Sequence, residues 1–161
     1  MTLVSFLLLA LLALPAVAAA QNFEPDGYYL PKEPLTVSDH EIALFDLRSL
    51  EYVYDQKTRG KVLRVPPTAR LRIIRLADRT ETRYRCGKII VKPDALSFVC
   101  PGTTLGVVMI RGNFIDPRLG FRDRQDVLPK QTVVVDATVT ITREGKELLA
   151  RRVAFTYWEG D

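Results

Sequence analysis

Residues 131–142 read QTVVVDATVTIT, and no other stretch limits the fold so sharply. Val133, Val135, Ala137, Val139 and Ile141 alternate with Thr132, Asp136, Thr138, Thr140 and Thr142. A period of two sends successive side chains to opposite faces of an extended chain, so one face is apolar and the other wet. Most of these residues are β-branched or otherwise strong strand formers. Such a strand cannot stand alone, because its backbone needs partners and its apolar face needs cover. Arg143, Glu144, Gly145 and Lys146 supply a turn, and residues 147–158 return as the second strand of a C-terminal hairpin. In that return strand Val153, Phe155 and Tyr157 ask for the core on one parity and Leu148 on the other, with Arg151 and Arg152 between. A β-bulge at the two arginines is the expected remedy, since a regular strand would turn one of them inward.

Strand-like stretches recur at 43–54, 62–66, 69–77, 82–91, 95–100 and 105–111, which brings the total to about eight. Residues 39–50 also suit a short helix capped by Asp39, with Ile42, Phe45 and Leu50 behind it. No amphipathic helix of useful length stands out. Many short strands between Pro and Gly turns predict an all-β chain. The expected architecture is a single-domain antiparallel β-sandwich, Ig-like, over residues 42–161, with a closed β-barrel as the alternative. Residues 21–41 carry Pro25, Pro31 and Pro34 and are expected to be extended and largely irregular.

The only two cysteines, Cys86 and Cys100, lie in RYRCGKIIVKPDALSFVC, residues 83–100. Lys92, Pro93 and Asp94 form a turn signal between two strand-like arms. A hairpin centred on Pro93 sets Cys86 directly across from Cys100, and a small adjustment at Gly87 brings them within disulfide range. The pair lacks Cys-x-x-Cys spacing, and two cysteines with one distant histidine, His40, fall short of a structural zinc site. A structural disulfide is therefore expected.

The N-terminus agrees with that chemistry. Residues 1–20 read MTLVSFLLLALLALPAVAAA. An apolar run over 3–14 ends at Pro15, and Ala18 and Ala20 occupy the small-residue positions of a cleavage site before Gln21. No Lys or Arg precedes the run, a departure from the usual pattern. Residues 1–20 read as a cleaved signal peptide, because the run is shorter than the roughly 20 residues a membrane span needs. No transmembrane span is expected after cleavage. The implied location is periplasmic or secreted, an oxidising environment in which a disulfide persists.

Catalytic inventory is poor. His40 sits in a polar segment, no Gly-x-Ser-x-Gly occurs, and a disulfide removes both thiols as nucleophiles. Asp46 with Glu51, or Asp136 on its threonine-rich face, are the carboxylates that could serve acid–base chemistry, and equally could be solvated charges near arginines. No calcium loop, phosphate loop or metal-ligand spacing is present, so neither metal nor cofactor is expected.

Arginine density is the unusual feature. Residues 69–86 read ARLRIIRLADRTETRYRC and contain Arg70, Arg72, Arg75, Arg79, Arg83 and Arg85. A hairpin turning near 77–81 puts several guanidinium groups on one sheet face, with Arg72 beside Arg83 or Arg85. Opposed like charges are mildly destabilising, which invites an anion as explanation. The plain alternative is a solvated face relieved by Asp78 and Glu81. A second candidate is the loop over 112–130, where Arg118, Phe121, Arg122 and Arg124 mix aromatic and guanidinium groups in the manner of an interaction hot spot. Its own Asp116, Asp123 and Asp126 offer a local explanation for those arginines.

The net charge of +4 is compatible with an anionic partner without requiring one. Few aromatics interleave with the basic residues, so nucleic acid is not the expected ligand. The leading expectation is a non-catalytic exported binding module recognising an anionic polymer or a protein partner through Arg70, Arg72, Arg75, Arg83 and Arg85 or the 112–130 loop. A carrier of small apolar ligands inside a barrel is the second reading, motivated by a 47% hydrophobic composition. A carboxylate-based hydrolase is the third.

Overall fold

The computed structural model describes residues 25–48, 51–54, 62–115 and 132–158, and every regular element among them is a strand. The expected signal peptide, residues 1–20, lies outside the described residues. The strands are β1 (Gly27–Pro31), β2 (Leu35–Val37), β3 (His40–Arg48), β4 (Glu51–Tyr54), β5 (Val62–Val65) and β6 (Thr68–Arg75). They continue with β7 (Glu81–Arg85), β8 (Gly87–Lys92), β9 (Ala95–Thr103), β10 (Gly106–Phe114), β11 (Val133–Arg143) and β12 (Lys146–Trp158). Residues 40–48, which also suited a helix, are strand.

Ten strands make one antiparallel sheet in the order β7-β6-β3-β1-β12-β11-β10-β9-β8, with β2 beside β3. β4 and β5 pair separately. The all-β, antiparallel expectation holds. Of the two architectures open to it, the single curled sheet matches the barrel alternative rather than two stacked sheets. The reason is at the sheet's ends. β7 and β8 are the two terminal strands, yet only Cys86 separates them in the chain. The sheet must therefore curl until its ends almost meet. Cys86 marks the seam: its amide donates to Ala69 O in β6 at 2.9 Å, and its sulfur is bonded to Cys100 in β9.

The cysteine hairpin has an instructive register. Near the turn, Lys92 faces Ala95 and Ile90 faces Ser97, one residue off what a Cys86–Cys100 pairing needs. A bulge between Gly87 and Ile90 then shifts the register so that Gly87 faces Val99. Lys88, with φ of 50°, is in the left-handed region that such an insertion uses. The two cysteine Cα atoms end 4.1 Å apart, and the disulfide forms.

Where irregular chain was expected, residues 27–31 and 35–37 are strands joined through a bend at 32–33, and they are not peripheral. β1 lies between β3 and β12, and Tyr29 is fully buried. Its ring stacks on Phe45 at 4.8 Å, and Phe45 meets Phe98 at 5.2 Å and Phe155 at 4.9 Å edge-on. Those four rings, from β1, β3, β9 and β12, fill the interior of the curled sheet together with the inward row Val135, Ala137, Val139 and Ile141.

In the C-terminal hairpin Arg143 faces Lys146 across Glu144 and Gly145, both at positive φ, the geometry of a tight two-residue turn. The irregularity expected at Arg151 and Arg152 sits earlier. The register shifts between Ile141 and Thr142, leaving Leu148 as the extra residue, 47% exposed, while Leu149 faces Ile141. Leu148 does not claim a core position, so β12 runs regularly through the arginines. Arg151 accordingly takes the inward parity opposite Val139, and its guanidinium escapes to Glu33 at 3.1 Å. The loop expected over 112–130 also starts later than its glycine suggests, because Gly112 to Phe114 belong to β10 and Phe114 is buried.

Candidate anion-binding face

β6 and β7 form a hairpin in which Arg70 faces Arg85 and Arg72 faces Arg83. Ala69, Leu71 and Ile73 point into the core, so strand alternation sends Arg70 and Arg72 outward. Four guanidinium groups thus share one outer surface. Glu81 serves one row only: its Oε1 accepts from Arg83 Nε at 2.9 Å and lies 3.1 Å from Arg72 Nε, which is not aligned to donate to it. Among the described residues, Arg70 and Arg85 have no hydrogen bond or ion pair.

Arg75 is not part of this surface. It faces His40 at the end of β6, and its guanidinium grips Asp78 across the turn, with Nε donating to Oδ1 at 3.0 Å and Nη2 meeting Oδ2. That grip holds the Asp78 carboxyl far below the usual carboxylate range. Arg79 approaches Glu41 at 3.8 Å. Arg118, Phe121, Arg122 and Arg124 lie outside the described residues.

The register carries the surface further than the arginines. Arg70 faces Asp46 in β3, Asp46 faces Tyr28 in β1, and Tyr28 faces Trp158 in β12. Trp158, Tyr28, Asp46, Arg70 and Arg85 therefore stand in one row across five adjacent strands. Trp158 is 43% exposed, and its ring lies 5.4 Å from that of Tyr28. Asp46 is half-buried. Desolvation pushes its carboxyl above the usual range, against the opposing pull of Arg70, Arg48, Arg83 and Arg72. Sequence reasoning named Asp46 only as a possible acid and missed Tyr28 and Trp158 as neighbours of the arginines. The signal was the exposed-parity aromatic at each chain end, which gains meaning only once β1 and β12 are known to pair.

The other carboxylate candidates are committed elsewhere or lie beyond description. Arg152 Nε donates to both oxygens of Asp136, at 2.8 and 2.9 Å, and holds that carboxyl below its ordinary value. The side chain of Glu51 lies outside the described residues. His40 Nδ1 is 2.7 Å from Asp39 Oδ1. Among the described residues no three His, Cys, Asp or Glu side chains converge as a metal would require, and no helix is long and apolar enough to cross a membrane. No protein-family model, no curated protein and no solved structure matches this chain.

Proposed function

We propose that this chain is a non-catalytic binding module, exported to a periplasm or an extracellular space, that recognises an anionic polymer or an acidic protein surface through the outer face of β6 and β7. The observation that carries the reading is the double like-charge pairing, Arg70 with Arg85 and Arg72 with Arg83. Directly opposed like charges cost stability, and Glu81 relieves only one of the two rows. In the other row Asp46 stands opposite Arg70 and attracts it without a hydrogen bond, which leaves the donors of Arg70 and Arg85 to take an external carboxylate, sulfate or phosphate in a two-pronged hydrogen bond. The Cys86–Cys100 disulfide supports an oxidising compartment. A carrier of apolar ligands has less behind it, because Tyr29, Phe45, Phe98 and Phe155 occupy the interior where such a ligand would lie. A carboxylate hydrolase has less still, with Asp136 held by Arg152.

Retention on a heparin column against a salt gradient tests the reading, since exposed charge contacts weaken with ionic strength. The Arg70→Glu, Arg85→Glu double variant is expected to elute at markedly lower salt than the parent. Unchanged elution, with a native circular dichroism spectrum, rejects this face.

A further inference from the structure

We infer that the ligand of this face is an acidic polysaccharide, a chain of sugar rings bearing acid groups, laid across the strands from Trp158 to Arg85. The inference rests on the binding reading above and names its ligand class. Adjacent strands lie about 4.8 Å apart, so the five-residue row follows the convex outer surface of the curled sheet for about 19 Å of contour, and a short oligosaccharide would bend around it. The chemistry changes along the row in a way that a uniform polyanion does not match.

At one end stand Trp158 and Tyr28, ring centroids 5.4 Å apart and planes inclined by 38°. Aromatic faces offer apolar area to the C–H face of a pyranose ring, while the indole N–H and phenol O–H can bond to its hydroxyls. At the centre stands Asp46, half-buried and, among the described residues, without a hydrogen bond or ion pair of its own. A carboxylate accepts hydrogen bonds from hydroxyl groups and repels another anion. At the far end Arg70 and Arg85 face each other and fork onto an acid group. An acidic peptide or a phosphate polymer carries charge at every step and would set one anion against Asp46. A glycan alternates hydroxyl-rich stretches with acid groups and meets each of the three stations with its complement.

Titration calorimetry on the disulfide-bonded chain tests this with four probes: tetragalacturonate, a heparin tetrasaccharide, tetraglutamate and neutral maltotetraose. At least one acidic sugar is expected to bind, and comparison of the two separates carboxylate from sulfate recognition. Trp158→Ala is expected to weaken that binding. The charge-conserving Arg70→Lys, Arg85→Lys variant is expected to weaken it at least about tenfold, the loss of a fork-type hydrogen bond to a charged group. Asp46→Asn is expected to weaken the acidic sugar while strengthening tetraglutamate, and that opposite sign is the signature. Thermal melts establish that each variant is folded. If tetraglutamate binds as tightly as the sugars and Asp46→Asn strengthens both, the glycan assignment fails and the anion-binding reading survives. Equal binding of maltotetraose overturns the role of the arginines and the inference with it. No binding of any probe at millimolar concentration overturns both.

Discussion

The amide of Cys86 donates to the carbonyl of Ala69 at 2.9 Å, carrying the β6–β7 ladder one rung further to the seam of the curled sheet. Ala69 belongs to β6, and the sulfur of the same cysteine is bonded to Cys100 in β9. One residue thus ties the two ends of the sheet together, by a hydrogen bond on one side and a covalent bond on the other. The half-cystines are 14 residues apart, and closing a loop of that size in the unfolded chain contributes about 3 kcal/mol on the chain-entropy account. The Cys86→Ser, Cys100→Ser variant is expected to lose about that much in urea denaturation, with β8 amides exchanging first. Identical unfolding midpoints for the oxidised and double-serine forms would contradict this account of the seam.

Gly112 marks a second constraint. A methyl group there would meet the backbone carbonyl oxygen of Asp136 and the Cα of Ala137, neither of which can swing aside. Overpacking against a rigid backbone costs about 3 kcal/mol, and Gly112→Ala is expected to do so. Gly87 provides the contrast, because nothing lies within 4 Å of a methyl group added to it. Gly87→Ala is expected to change stability by no more than about 0.5 kcal/mol. Similar losses in both variants, read by chemical denaturation, would remove close strand approach as the explanation.

Asp46 predicts an unusual pH dependence. Burial raises its folded-state pKa above the unfolded value, so the folded protein holds its proton more tightly. The sign follows from linkage: its contribution to stability declines as pH rises from the ordinary carboxylate value through the raised one. Asp46→Asn keeps the volume and removes the titration. That variant is expected to equal or exceed the parent in melting temperature at neutral pH, and its advantage is expected to shrink on acidification. A variant less stable than the parent at pH 7 would mean that the charged form is the stabilised one.

Asp78 behaves in the opposite sense. The hydrogen bonds from Arg75 and Thr80 lower its pKa, so its contribution is present above the unfolded carboxylate value and is lost as pH falls through the folded one. Asp78→Asn is expected to flatten the acid limb of the melting curve between neutral pH and strong acid. Nuclear magnetic resonance titration of the Asp78 carboxyl checks the cause directly: a midpoint at the ordinary value refutes the Arg75 grip.

Much of this fold was legible because β patterning is local. The alternation through Val135, Ala137, Val139 and Ile141 and the turn at Glu144 and Gly145 follow from residue types within one hairpin, whereas the facing of Cys86 and Cys100 also needs the bulge between Gly87 and Ile90. The placing of Arg72 beside Arg83 or Arg85 was legible for the same reason, and the register selects Arg83. What failed to show was non-local. Pro31 and Pro34 made the N-terminal stretch look irregular, although Pro31 merely ends a strand whose Tyr29 is buried at the centre of the sheet. The aromatic half of the site depends on Tyr28 meeting Trp158 from the other end of the chain, and no local pattern encodes that meeting. The bulge was misplaced because Leu148 was read as a core residue, whereas a bulge residue can remain in water.

The position of β1 between β3 and β12 also sets an order of events. The early arm, β3, β6 and β7, and the late arm, β9 through β12, are joined by strand pairing at β1 and by the disulfide at Cys86, and they meet inside through Phe45, Phe98 and Phe155. β3 supplies one neighbour of β1 and β12 the other. The two arms therefore become one shell only when β12 joins them, and removal of Lys146–Trp158 would leave β1 with one open edge.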